Sequence, residues 1–172
     1  WAKTLYNGVG GVFRCKPDGT EFQVVCRGMR NSCGLVFDRH WNLFTNDNDH
    51  EGLPSEYVPG RLNHAVPHGY YNWPRGWMLS KTPDRADLLD TLTPKLGRMV
   101  PVGQSYYDDE FLGEKYQNQL LLARWCTRQI TRYPLKNHGA SFRTEELQLL
   151  NGKDQARPVG VCVGRGGRIF AT

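Results

Sequence analysis

The densest run of side chains able to do chemistry is Asn46-Asp47-Asn48-Asp49-His50-Glu51. It follows the apolar pair Leu43-Phe44 and puts oxygen-rich side chains on a tight turn at the end of a strand. Such a turn suits Ca²⁺, a hard cation that takes roughly six to eight oxygens, backbone carbonyls included. The spacing is not that of an EF-hand, because the central glycine and the distant glutamate are missing. The same residues equally suit a turn whose Asn and Asp side chains satisfy their own backbone. Arg30-Asn31 stands shortly before Gly34, and Arg157 shortly before Gly160. If these glycines open equivalent strands of a propeller, two guanidiniums meet near one channel mouth. Their forked donors would make a site for a planar anion. The competing reading is a pair of arginines that line a wet channel or pair with nearby carboxylates.

Other chemistry-bearing residues signal less. His40, His50, His64, His68 and His138 have no metal-ligand spacing on one element, and Pro67 breaks any helix between His64 and His68. They read as structural or surface residues. Cys15, Cys26, Cys33, Cys126 and Cys162 form no Cys-x-x-Cys pair and no haem-attachment motif, and their odd number makes no tidy disulfide framework. They read as small buried hydrophobes. Tyr70, Tyr71, Trp73 and Trp77 cluster near one turn and suit stacking against sugar rings.

The elements that position these residues come from a repeat. Arg30-Asn31-Ser32-Cys33-Gly34-Leu35-Val36-Phe37 followed by Asn42-Leu43-Phe44-Thr45 matches Arg157-Pro158-Val159-Gly160-Val161-Cys162-Val163 followed by Arg168-Ile169-Phe170-Ala171-Thr172. The distance from Gly34 to Gly160 equals that from Phe44 to Phe170. Short alternating strands recurring at a fixed interval predict an all-β array, a β-propeller. Gly34–Phe37 and Gly160–Val163 are expected innermost. Hairpins are expected on either side of Pro17-Asp18-Gly19-Thr20 and of Asp38-Arg39-His40-Trp41. Further strands are expected over 61–66, 99–103, 119–125, 130–135, 146–150, 159–163 and 168–172. A short helical insertion is expected near 80–98, with Thr82 as its cap, Pro83 at its first position, and Ala86, Leu89 and Leu92 on one face.

These strands amount to about three blades, so residues 1–172 read as one partial β-propeller domain, a fragment of a longer chain. Hydrophobic residues make up 39% and aromatics 12%, with 19 Gly and 10 Pro, a turn-rich globular composition rather than a disordered one. The net charge of +5 is mild and its basic residues are scattered, which gives no nucleic-acid footprint. No apolar run reaches the length of a membrane span.

At this point the residues carry a resemblance. Arg30-Asn31-x-x-Gly34-Leu35-x-Phe37, then Leu43 to Asp49, then Arg61-Leu62-x-x-x-Val66-x-x-Gly69-x-Tyr71-x-Trp73-Pro74, resembles the soluble quinoprotein glucose dehydrogenase and L-sorbosone dehydrogenase-like family. The likeness covers most of 10–74 and returns over 118–172. The whole chain is similar to planctomycete-type propeller dehydrogenase-like proteins, which are exported and often carry a c-type haem domain. The resemblance implies a six-bladed propeller that uses pyrroloquinoline quinone and Ca²⁺. It implies periplasmic or secreted location, a sugar or alcohol substrate, and a haem domain or cytochrome as electron acceptor. Residue by residue, it implies that Arg30 acts in catalysis and that Arg30 and Asn31 contact quinone and substrate. It implies that Asn48, Asp49 and His50 hold Ca²⁺ mainly through carbonyls, and that Arg157 grips a quinone carboxylate. The chain departs from the family at Val159, where a second arginine belongs, and near Cys126, where a lysine belongs. The family's base histidine lies in an earlier blade, outside this chain. A non-catalytic propeller that binds a glycan or a protein is the alternative, since a fold alone does not fix a function.

Overall fold

The computed structural model describes residues 10–48, 50, 52, 54, 59–71, 73, 91–93, 96–154 and 156–172. Among the described residues, thirteen strands fall into five antiparallel groups. Strands β1 (Gly10–Arg14) and β2 (Gln23–Met29) pair with each other. Strands β3 (Leu35–Phe37), β4 (Leu43–Asp47) and β5 (Arg61–His64) form a second sheet in that order. Strands β6 (Pro101–Tyr107), β7 (Gln119–Arg124), β8 (Gln129–Pro134) and β11 (Leu147–Asn151) make a complete four-stranded sheet. A small ribbon, β9 (Lys136–His138) with β10 (Ser141–Arg143), is inserted before β11. Strands β12 (Val161–Val163) and β13 (Ile169–Ala171) begin a fourth sheet.

Each sheet packs face to face on the next, and the alternation of strand side chains explains how. Phe44 and Leu62 join Leu120, Leu122 and Tyr133 in one core, between the second and third sheets. The neighbouring positions of β7, Leu121 and Ala123, join Ile130, Tyr107 and Val161 in another, between the third and fourth. Val12, Cys26, Met29, Ala65 and Tyr71 fill the gap between the first and second. The run Leu120-Leu121-Leu122-Ala123 is apolar without interruption because β7 is buried on both faces; each of the four is at most 2% exposed. Burying such a leucine contributes roughly 1.5–3 kcal/mol relative to leaving it in water. Serial stacking of sheets about an axis is propeller architecture.

The first strands of successive sheets, β3, β6 and β12, sit at sheet edges and touch one another, so they are innermost as expected. Glycines make that approach possible. A Cβ on Gly103 would lie 2.7 Å from the Gly160 Cα and 2.8 Å from the Val161 nitrogen. A Cβ on Gly34 would lie 2.9 Å from the Asn46 side-chain nitrogen and 3.0 Å from the Gln104 Cβ.

Several sequence expectations need correction. Strand β6 runs on to Tyr107, and the β9–β10 ribbon and two 3₁₀ turns at Glu110–Leu112 and Glu114–Tyr116 were not foreseen. The expected helix falls mostly outside the described residues. Those described there line the outer edge of β5, where the Leu92 amide donates to the Leu62 carbonyl and Gly60 pairs with Gly97. Of the cysteines only Cys26 is buried; Cys15, Cys33, Cys126 and Cys162 are exposed. Cys162 pairs across from the exposed Phe170, on the side of β12–β13 turned away from the core between the third and fourth sheets.

The histidine reading holds for His64, which stacks on Phe44 at 5.2 Å and shares a hydrogen bond of 3.0 Å with Ser141. Burial lowers its pKa below 6.5, opposed by the more distant Asp38. Because the folded state prefers the neutral ring, its contribution to stability is present above pH 6.5 and is lost as pH falls through the lowered folded value. Thermal melts of the full-length protein across about pH 5–7.5, the range in which histidine titrates, should show that loss, and His64→Phe should flatten it; an unchanged slope would refute the assignment. A second measurement concerns the axis. Gly103→Ala forces backbone apart where the Gly103 amide donates to the Val159 carbonyl at 2.9 Å, and should cost about 1–3 kcal/mol in denaturant unfolding, against little change for Arg165→Lys in an exposed turn.

Candidate functional site

The strand register gathers the chemistry on one rim. Strands β3, β6 and β12 begin where their partners β4, β7 and β13 end. The segments before the inner strands and the turns after the second strands therefore share one end of the molecule. That end carries Arg30 and Asn31, Asn48 and His50, Arg98, Trp125 and Cys126, and Arg157. Asp49 lies outside the described residues.

At the centre of the rim is a residue with a role the sequence did not disclose, Asp47. It is the last residue of β4, wholly buried, and stands opposite Arg61 in the β4–β5 register. Its carboxylate accepts from the Arg30 amide at 3.2 and 3.0 Å, from the Asn31 amide at 2.7 Å and from the Asn48 amide at 3.1 Å. The Arg61 guanidinium closes the set at 2.7 Å. Arg61 also donates to the carbonyls of Tyr71 and Gly28. Burial pulls the Arg61 pKa down, and the facing Asp47 pushes it back up. One ion pair thus ties together the end of β2, the turn after β4 and the turn through 67–73. The signal was present as Asp at the end of one strand and Arg at the start of the next, but its meaning depends on their register.

Arg30 is held at its backbone, and its side chain lies over Trp73, 5.7 Å from the ring centroid. Trp73 is placed by its amide, which donates to the Gly28 carbonyl at 2.8 Å. Asn31 is exposed, with its carbonyl accepting from the Asn48 amide at 3.2 Å. Arg157 is also exposed and stacks on Trp125 at 4.3 Å. The two arginines expected at the mouth therefore repeat one arrangement, a guanidinium laid on a tryptophan. Such stacking fixes the plane of the fork without consuming its in-plane donors. Tyr71 does not serve as a stacking surface: it is buried, donates to the His64 carbonyl, and has its pKa pushed up to about 12 by burial. Trp77 lies outside the described residues.

Below the rim, Asn46 links neighbouring sheets. Its side-chain nitrogen donates to the Gln104 side-chain oxygen at 3.1 Å, and its oxygen accepts from the Cys33 amide at 3.3 Å.

Similarity to known proteins follows this geometry. No protein-family model and no curated protein matches the sequence. Solved structures do. The PQQ-bound form of an aldose sugar dehydrogenase from Streptomyces coelicolor superposes with a TM-score of 0.70 at 20% identity, over 94% of this chain and 45% of that one. An oxidoreductase (glucose dehydrogenase) from Thermus thermophilus matches with a TM-score of 0.67 at 23% identity, over 87% of this chain and 41% of the other. The apo form of the soluble aldose sugar dehydrogenase from Escherichia coli matches with a TM-score of 0.65 at 17% identity, over 91% and 45%. This chain has the β-propeller fold of these sugar dehydrogenases. It spans less than half the length of each. No helix among the described residues is long and apolar enough to cross a membrane.

The rim residues fit a planar anionic ring. Two stacked guanidiniums face the same end, with the exposed Asn31 beside one of them. They fit Ca²⁺ poorly. Asp47 directs its carboxylate into the protein, and the His50 carbonyl accepts from the Arg98 guanidinium at 3.3 Å. The Asn48 side-chain oxygen is buried with no hydrogen-bond partner, a single neutral donor. No group of three His, Cys, Asp or Glu residues gathers among the described residues.

Loss of Asp47 should be costly. Asp47→Asn removes the carboxylate charge that faces the buried Arg61 cation, and breaking such a pair typically destabilises by about 3–5 kcal/mol. Urea unfolding of the full-length variant should show this loss; one below about 1 kcal/mol, the scale of an exposed pair, would mean that the clamp is incidental.

Proposed function

We propose that this chain is the cofactor-facing part of a pyrroloquinoline quinone-dependent sugar or alcohol dehydrogenase. The observation that supports it most is the pair of tryptophan-stacked arginines, Arg30 and Arg157, on one rim of a fold shared with a PQQ-bound aldose sugar dehydrogenase. When bound, such a quinone accepts a hydride from a hydroxyl-bearing carbon. Arg157 would hold a carboxylate, its fork oriented by Trp125. Arg30 would supply positive charge where negative charge grows during transfer, held from behind by Asp47. Preorganised donors of this kind need no rearrangement at the moment of reaction. Asn31, exposed beside Arg30, would orient the substrate hydroxyl. An exported setting, with a haem domain or cytochrome taking the electrons, belongs to the same reading.

A second reading, a propeller that binds a glycan or protein without a cofactor, is favoured by Val159 and Cys126. Both are exposed on this rim, and neither offers a positive charge.

The test reconstitutes the full-length protein with quinone and assays aldoses and alcohols with an artificial acceptor. Turnover is expected. Arg30→Ala should lower kcat on the order of 100-fold with a smaller change in KM, whereas Arg157→Ala should weaken quinone binding measured by absorbance. No bound quinone and no turnover on any substrate would transfer the assignment to the binding propeller.

A further inference from the structure

Two guanidiniums reach the turn after β4. Arg61 comes from within and takes the Asp47 carboxylate at 2.7 Å, with both side chains at least nine-tenths buried. Arg98 comes from the segment before β6 and reaches the His50 carbonyl at 3.3 Å. The first engages the one described carboxylate of the turn. The second places a positive charge beside the His50 carbonyl. Arg30, whose guanidinium lies over Trp73, anchors its backbone amide on the same Asp47.

A calcium ion needs roughly six to eight oxygens, several of them anionic for tight binding. Here the described turn offers the buried Asn48 side-chain oxygen, and a neutral amide oxygen in a polar pocket is met by a water as well as by an ion. A divalent ion would also sit beside the Arg98 guanidinium, and like charges at such range repel. Asp49 and Glu51, the other carboxylates of the turn, lie outside the described residues.

We infer that this rim is braced by Arg98 and Arg61 in place of a bound divalent cation, so that the turn folds, and the rim takes its ligand, without calcium. The inference takes the rim from the dehydrogenase reading above, but its readouts are ion binding and melting rather than turnover.

The experiment uses the full-length protein. Calcium chloride is titrated calorimetrically to about 1 mM, the weak end of protein calcium modules, and melting is followed with and without EDTA. Expected are no calcium heat, no shift of Tm with EDTA, and the same quinone absorbance with either additive. Arg98→Gln should lower Tm by about 2–4 °C, and Arg98→Lys should recover part of that loss by restoring the charge. A saturable calcium isotherm for the unsubstituted protein overturns the inference, and so does a lower Tm in EDTA or an Arg98→Gln melt identical to that of the parent. The calcium titration does not depend on any variant folding. Absence of quinone binding under every condition would count against the dehydrogenase reading alone, whereas calcium heat counts against this inference alone.

Discussion

A carboxylate sealed in protein is unfavourable unless it is met on all sides, and Asp47 is the point around which the rim is arranged. Removing it from water costs several kcal/mol, an amount offset only if nearly all its lone pairs find donors. Three backbone amides and one guanidinium meet them. These donors come from the end of β2, the turn after β4 and the start of β5, so satisfying one side chain fixes the relative positions of all three. The buried position of Arg61 follows from the same requirement, and with it the placement of the turn that carries Trp73. Arg30 can then present its side chain at the mouth because its backbone is already fixed.

The contrast with Arg124 is instructive. That arginine also closes a second strand and is buried, and it pairs with Glu146 while donating to the Leu96 carbonyl at 3.2 Å. Glu146 is partly exposed and also accepts from Tyr133, whose pKa burial raises. One blade therefore ends in a buried anion with an arginine partner, and the next in a buried arginine with a half-exposed anion. Only the first gathers backbone amides around its carboxylate, whereas the second is followed directly by Trp125, on which Arg157 stacks. The architecture tolerates an ion pair at either place; the direction of the charge decides what it can build.

Much of this was legible in the amino-acid sequence. The glycines at 34 and 160 and the strand repeat around them are local signals, and they placed the inner strands and the number of blades. Arg30, Asn31 and Arg157 were singled out because they stand shortly before those strands. What escaped notice depended on register or on long-range approach. The ion pair of Asp47 and Arg61 needs the pairing of β4 with β5, which no short window contains. Trp125 under Arg157, and Arg98 on the His50 carbonyl, join residues far apart in the chain. The cysteines misled because an apolar neighbourhood in sequence does not say which face of a strand is covered. Cys162 sits on an uncovered one.

The close backbone approach at Gly103 and Gly160 sets the spacing between the inner strands of neighbouring sheets. Where side chains line an opening, its diameter drifts with every substitution. Here the innermost surface near these residues is main chain on main chain, and the only accessible change is to make it worse. The residues on the rim can therefore vary one by one, while the strand spacing beneath them is inherited almost unchanged.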